Sequence, residues 1–270
     1  SGLHRAAARL LDRDGARPEA VAVHLAQAGG RGEEWAVATL RRAAARALAQ
    51  GATETAADWL GRALAEPPPA AQRGELLAEL GRAEAALGRP QAIERLGEAA
   101  ELADGGEERA RICADLGRAL ALQGRTDDAA AAFEEGLGHL EDPGSELGKE
   151  LRAAWWSAAT MVAARAEAMR APEPTLPAPG EVPTPGEREL LAQLAMQRAF
   201  EGHGRAEVAA LAERAWGDAE LLASAPGDGI TWSLVSGALL GADEVERGLE
   251  VCEAALADAR RRGSPMAFAN

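Results

Sequence analysis

The side chains most often used in catalysis are few and scattered in this 270-residue chain. The four histidines and two cysteines are His4, His24, His139, His203, Cys113 and Cys252. No histidine has a partner at the i, i+4 spacing of a helical metal site, and neither cysteine has a metal or redox spacing or a histidine nearby in sequence. The residue pattern therefore predicts no metal site and no activated thiolate.

Nucleotide and acid–base chemistry also lack their usual signatures. Gly148 and Lys149 come nearest to a phosphate-binding loop, but the upstream glycine and the following hydroxyl residue are missing. Acid pairs such as Glu107 and Glu108 fall at predicted helix starts, where carboxylates favour the positive end of the helix dipole. We therefore predict that this chain is not an enzyme, with no catalytic residue, metal ligand or cofactor-binding residue of its own.

Composition narrows the class of protein further. The formal net charge is −14, and an acidic surface repels the phosphate backbones that nucleic-acid-binding proteins attract with Lys and Arg. No apolar run approaches the roughly 18 residues that span a bilayer, and the first residues lack the apolar stretch of a signal peptide. With two cysteines, a reducing compartment is the simplest setting. We predict a cytoplasmic protein that binds neither nucleic acid nor membrane.

The elements that carry these residues are predicted to be helices throughout. Apolar residues recur three and four positions apart, β-branched residues are scarce, and no alternating strand pattern occurs. The fold class predicted is all-α. The predicted helices are residues 3–13, 18–28, 33–50, 53–65, 70–88, 91–103, 107–123, 127–140, 145–170, 187–201, 205–216, 229–240 and 244–262.

A repeat of 36 to 37 residues runs through the first half. Leu-Gly-Arg followed by Gly-Arg occurs at residues 80–89 and again at 116–125, and Gly51 lies 37 residues before Gly88. When the turn glycines are aligned, two positions of the following helix keep their character in all three copies. One is always small (Ala56, Ala92 and Ala129), and the other, four residues later, is always large and apolar (Leu60, Leu96 and Phe133). A fixed period of this length indicates stacked helical hairpins.

These residues resemble the tetratricopeptide repeat. Within residues 110–143 the resemblance equates Leu116 and Gly117 with the family's leucine–glycine pair, and Leu120 stands where its tyrosine would be. Other matching positions are Ala129 and Phe133 in this copy, and Ala56, Leu60, Ala63 and Pro68 in an earlier one. The resemblance implies an α-solenoid of antiparallel helix hairpins, and the lack of tyrosine departs from the family pattern.

A proline-rich connector is predicted to interrupt this array. Residues 171–186 contain six prolines, which deny the backbone donors that helix and sheet require, so we expect an extended, solvated stretch. We divide the chain into four parts. Residues 1–30 are the end of a winged-helix-like element, and residues 31–171 are a hairpin array. Residues 172–186 are the connector, and residues 187–270 continue the helical array, which we expect to be truncated at its C-terminus. A proline-rich ligand for another domain is the alternative for the connector.

The tryptophans Trp155 and Trp156 are the only candidate contact residues. They are adjacent on one predicted helix and point about 100° apart, so burying both against one surface is difficult. We consider two interpretations: either one of them lines a groove and contacts a partner, or both are core residues between the two halves.

The order of features resembles the central region of large ATP-binding LuxR-type transcriptional regulators, a class of signal-transduction ATPases that includes maltose regulators. The stretches that carry this resemblance are residues 3–11, 18–25, 43–69 and 257–269. It implies a middle segment whose parent holds ATP in a separate nucleotide-binding module and binds DNA through a helix-turn-helix elsewhere.

The same resemblance implies the segment's role. Such an array senses an inducer or protein partner, contacts other domains of the same regulator, and supports homo-oligomerisation. The alternative is a free-standing tetratricopeptide adaptor that grips a peptide or partner protein.

Overall fold

The computed structural model describes residues 2–66, 68, 70–162, 176–178, 180–224 and 231–262. Within these ranges every regular element is a helix, and no strand occurs. The helices are α1 (Gly2–Arg13), α2 (Pro18–Ala26), α3 (Glu34–Ala49), α4 (Thr53–Leu64), α5 (Ala70–Ala86), α6 (Gln91–Leu102), α7 (Gly106–Leu122), α8 (Thr126–Gly138), α9 (Glu146–Thr160), α10 (Pro185–Phe200), α11 (Arg205–Trp216), α12 (Glu220–Ser224), α13 (Thr231–Gly241) and α14 (Val245–Arg262). The predicted all-α class is confirmed.

The first compact unit, Ser1–His139, contains α1 to α8. Each of these helices packs against the next one along the chain, from α1 on α2 to α7 on α8. One hydrophobic core, which includes Ala8, Leu25, Leu40, Leu60 and Leu80, joins α1 through α5. The helices predicted to end a preceding element therefore share a core with the hairpins that follow them.

The second unit, Leu140–Asn270, contains α9 to α14. Here α10 is central, since it packs against α9, α11 and α13. Helix α9 packs on α10 through Trp156, Leu190 and Leu194, so both helices belong to this unit.

In the described part of the chain, six interhelical turns share one geometry. Each contains a residue with φ between 65° and 78°, and these residues are Gly15, Gly51, Gly88, Gly124, Gly202 and Asp243. The amide of this residue donates to the carbonyl three positions earlier, and the next amide donates to the carbonyl five positions before itself, at 2.8–3.2 Å. These are Schellman motifs, in which two carbonyls at a helix end find partners. In the first unit they recur at intervals of 36, 37 and 36 residues.

The repeated glycines inside helices allow close packing within hairpins. A Cβ at Gly81 of α5 would lie 2.7 Å from Cγ of Leu96 in α6, and one at Gly117 of α7 would lie 2.6 Å from Cδ1 of Phe133 in α8. The large side chain therefore rests directly on the backbone of the facing helix. The alignment of these positions in the sequence reflects this contact.

Several helix boundaries and one element differ from the predictions. The five-residue α12 was not predicted, because one turn and a half is too short to show a period. Helix α10 begins at Pro185, two residues early, because Thr184 and Glu187 form a reciprocal capping box there. Predicted helical residues 163–170 and 229–230, and the expected C-terminal stub at 263–270, lie outside the described residues.

The described part of the predicted connector is not fully solvated. Leu176 packs against the apolar clusters of the second unit, and Arg214 donates to the carbonyls of Pro177 and Ala178 at 2.6 and 3.3 Å. A guanidinium satisfies carbonyls that proline-rich backbone cannot pair internally. Residues 172–175 and 179 of the connector lie outside the described ranges.

Candidate functional site

A groove of about 380 Å³ opens between α3, α4 and α5 in the first unit. It is lined by Arg41, Ala44, Ala45, Leu48, Thr53, Leu60, Glu79, Arg82, Ala83 and Ala86. Ala44, Leu60 and Ala83 are buried and form its apolar floor, whereas Leu48 is 44% exposed at its mouth. An apolar floor below an accessible leucine suits the burial of a nonpolar side chain from a partner.

The groove exists because small residues face each other across it. Ala44 and Ala45 of α3 oppose Ala83 and Ala86 of α5, and methyl groups cannot fill the space between two helix backbones. A smaller crevice of about 70 Å³ lies one hairpin further on, lined by Ala85, Gly88, Arg89, Ala92, Ala119, Leu122 and Gln123. A gap thus recurs at these two junctions, and of the two the first has the volume for a bulky side chain.

Charged residues at the groove rim are paired with one another. Arg41 donates to both carboxylate oxygens of Glu79, at 2.5 and 3.1 Å, and also lies 2.9 Å from Glu75. The bond to Glu79 outweighs burial and raises the pKa of Arg41. Arg82 pairs with Asp115 at 3.1 Å. Because these arginines are already engaged, the rim favours an apolar partner over a free anion.

A second feature of the first unit is a buried charge cluster around Glu66. The carboxylate of Glu66 is fully buried and accepts hydrogen bonds from Arg5 at 2.5 Å and from Arg62 at 2.7 Å. Arg5 also bonds Glu33 at 2.5 Å, and its side chain is only 6% exposed. This cluster, Arg5–Glu33–Arg62–Glu66, links α1 to the start of α3 and the end of α4.

The charge cluster also binds the backbone between α2 and α3. Glu66 accepts from the amides of Arg31 and Gly32 at 2.7 and 3.1 Å, while Arg5 donates to the carbonyl of Gly29. Burial would raise the pKa of Glu66, but the Arg31 amide and the Arg5 guanidinium together hold it below its ordinary value. The loop is therefore held by an ionised carboxylate at its centre.

The structure places Trp155 and Trp156 in one apolar cluster of the second unit. Trp156 is 7% exposed and packs with Leu190 and Leu194 of α10, and Trp155 is half-buried against the same cluster. Both indole nitrogens are shielded from solvent, and among described residues neither has a hydrogen-bond partner. Of the two, Trp155 keeps the surface that a partner would need.

The remaining chemistry-bearing residues are dispersed, with one exception. Cys113 is buried, and burial raises the pKa of its thiol to about 11, so the thiolate is suppressed. Across the described residues no group of three or more His, Cys, Asp or Glu side chains is arranged to hold a metal ion. The exception is His4 and His24, whose Nδ1 atoms lie 3.1 Å apart.

Lys149, considered above as part of a phosphate loop, serves a different contact. Its ammonium lies 2.7 Å from Glu187 at the start of α10, where that carboxylate also caps the helix. The Lys149 bond and the Thr184 amide lower the pKa of Glu187. This pairing joins α9 to α10 within the second unit.

The charge cluster and the groove were not identified from sequence. Arg5 and Glu66 are 61 residues apart in separate stretches of sequence, so no local signal joins them. Within the described ranges, no helix has the length and apolar character needed to cross a bilayer. No known family matches the chain, and no curated protein matches it.

Proposed function

We propose that this chain is a regulatory scaffold segment of a bacterial LuxR-type transcriptional regulator of the signal-transduction ATPase class. In this proposal it acts in the cytoplasm, performs no catalysis and binds no DNA. ATP belongs to a separate nucleotide-binding module of the parent protein. The sequence resemblance carries the family assignment, and the helical architecture is compatible with it.

The proposed architecture is a tetratricopeptide-like solenoid of helix hairpins. It is supported by the recurrence of one turn geometry at Gly15, Gly51, Gly88 and Gly124, with sequential packing of α1 to α8. In a solenoid each repeat contacts its neighbours, and the repeated surfaces bind partners.

The single observation that carries the binding function is the groove between α3, α4 and α5. Its floor is apolar, its rim arginines are paired, and Leu48 is exposed at its mouth. We assign it to contact with another domain of the same regulator. A partner or inducer that binds one arrangement of the regulator more tightly shifts the population toward it, which is how such a segment controls an ATPase.

A binding titration tests this proposal. The chain is titrated with the nucleotide-binding module of its own parent protein, using Leu48→Asp as the variant and Leu102→Asp as the control. Leu102 matches Leu48 in exposure, at 43%, but does not line the groove. We expect Leu48→Asp to weaken binding at least about tenfold, which corresponds to about 1.4 kcal/mol, and Leu102→Asp to leave it nearly unchanged.

Two results would contradict the proposal. If the module fails to bind while a peptide or an unrelated protein binds in the groove, the chain is a free-standing adaptor. If both aspartate variants weaken binding equally, the groove is not the contact surface.

A further inference from the structure

Two histidines that are distant in sequence meet at the surface of the first unit. His4 lies in α1 and His24 in α2, and packing of these two helices brings their Nδ1 atoms to 3.1 Å. The ring centroids are 5.3 Å apart with an interplanar angle of 39°. The rings are therefore tilted rather than stacked, and ring nitrogens are their points of approach.

No charged side chain sits one turn onward on either helix. The residues three and four positions after the two histidines are Ala7, Ala8, Gln27 and Ala28. The other two histidines have charged neighbours but no second imidazole: His203 lies 2.8 Å from Arg198 and 3.3 and 3.5 Å from Glu201 and Glu207, and His139 lies 3.8 Å from Glu135. A guanidinium next to an imidazole opposes cation binding, but the one that follows His4 in sequence, that of Arg5, is paired with Glu33 and Glu66.

We propose that His4 and His24 form a two-histidine site for a divalent late transition metal ion of the Zn²⁺, Ni²⁺ and Cu²⁺ class. Imidazole nitrogen suits these ions. Metal–nitrogen bonds of about 2.0–2.1 Å place two cis ligands about 2.9–3.4 Å apart, and the observed 3.1 Å falls in this interval. Metal binding needs both Nδ1 atoms free of hydrogen, which neutral imidazoles achieve by carrying their proton on Nε2.

The ion would complete its coordination with water, since the described residues offer no third ligand. Because the ligands come from two helices, binding ties α1 to α2. The site adjoins Arg5, the residue after His4, which belongs to the buried charge cluster. A metal ion would thus stabilise the part of the unit that the cluster holds together, independently of the proposed regulatory function.

Isothermal titration of the full 270-residue chain, without an affinity tag, with Zn²⁺ tests the proposal. Wild type should bind one ion. His4→Gln and His24→Gln should each weaken binding at least about tenfold. Loss of a side chain that only hydrogen-bonds to a metal ligand already weakens binding about 10–100-fold, and loss of a ligand itself should cost no less. His139→Gln and His203→Gln are the matched controls and should bind as wild type does.

A thermal readout separates a site on the folded chain from nonspecific binding. Zn²⁺ should raise the unfolding temperature of wild type and of His139→Gln, because an ion that binds only the folded state stabilises it. It should not raise that of His4→Gln. Absence of zinc binding by wild type, or equal affinity in wild type, His4→Gln and His24→Gln, would overturn the site.

Discussion

At the scale of single residues, Glu66 has the largest structural consequence. It is a fully buried carboxylate that pairs with Arg5 and Arg62 and accepts two backbone amides. A buried charge costs free energy unless its hydrogen bonds are complete, so every partner in this arrangement matters. The residue fixes α1, α4 and the loop before α3 to one another.

Replacing Glu66 with Gln should destabilise the first unit by about 3 kcal/mol, because removing one member of a buried ion pair leaves the other charge uncompensated. Urea denaturation of the transition that includes α1 measures the loss. The control is Arg111→Gln, which breaks the exposed pair with Glu107 and should cost no more than about 0.5 kcal/mol. Similar costs for the two variants would show that the buried cluster does not stabilise the fold.

Sequence reasoning cannot find such a cluster. In sequence, Glu66 lies at the end of a predicted helix and Arg5 near the start of another, 61 residues away. Their pairing depends on how α1 and α4 approach in three dimensions. His4 and His24 were missed for the same reason, since their contact crosses from one helix to another at a separation of 20 residues.

At the scale of elements, the hairpins depend on a glycine that lies under a large side chain. Gly117 faces Phe133 as Gly81 faces Leu96, and in the first hairpin Ala44 occupies the equivalent position, 37 residues before Gly81. The ring of Phe133 is rigid and 2% exposed, so it has little room to move. The packing thus explains why a poor helix former is placed in the middle of α7.

Gly117→Ala should destabilise the chain by about 1–3 kcal/mol, because the added methyl overpacks the contact with Phe133. The matched control is Gly97→Ala in α6, where a Cβ meets nothing within 4 Å. That change should stabilise the chain by about 0.5–1 kcal/mol through helix propensity. Thermal or urea unfolding measures both, and shifts of the same sign would refute this explanation of the repeat.

The elements were largely predictable because their signals are local. Helix α4 begins at Thr53 as predicted and ends at Leu64, one residue early, and turn glycines marked the repeat. The break at residues 241–243 was predicted, but the left-handed backbone of Asp243 was not, because glycine ordinarily takes that conformation.

At the scale of the whole molecule, the groove connects the repeated hairpins to the proposed function. It exists because the residues of α3 and α5 that face each other are small. A hydrophobic pattern in the sequence shows which helix faces are buried, but it does not show how much space remains between them. For this reason the alanine-rich sequence predicted hairpins without locating a binding surface. The tryptophans singled out from sequence belong to the second unit and do not line this groove.

Site-specific photocrosslinking tests most directly whether the groove is the contact surface. A benzophenone amino acid replaces Leu48 in the full-length protein produced in its own host, and replaces Leu102 in the control. Mass spectrometry then identifies the crosslinked peptides. The account predicts crosslinks from position 48 to the nucleotide-binding module of the same regulator, with none from position 102. No crosslink from position 48, or the same products from both positions, would contradict it.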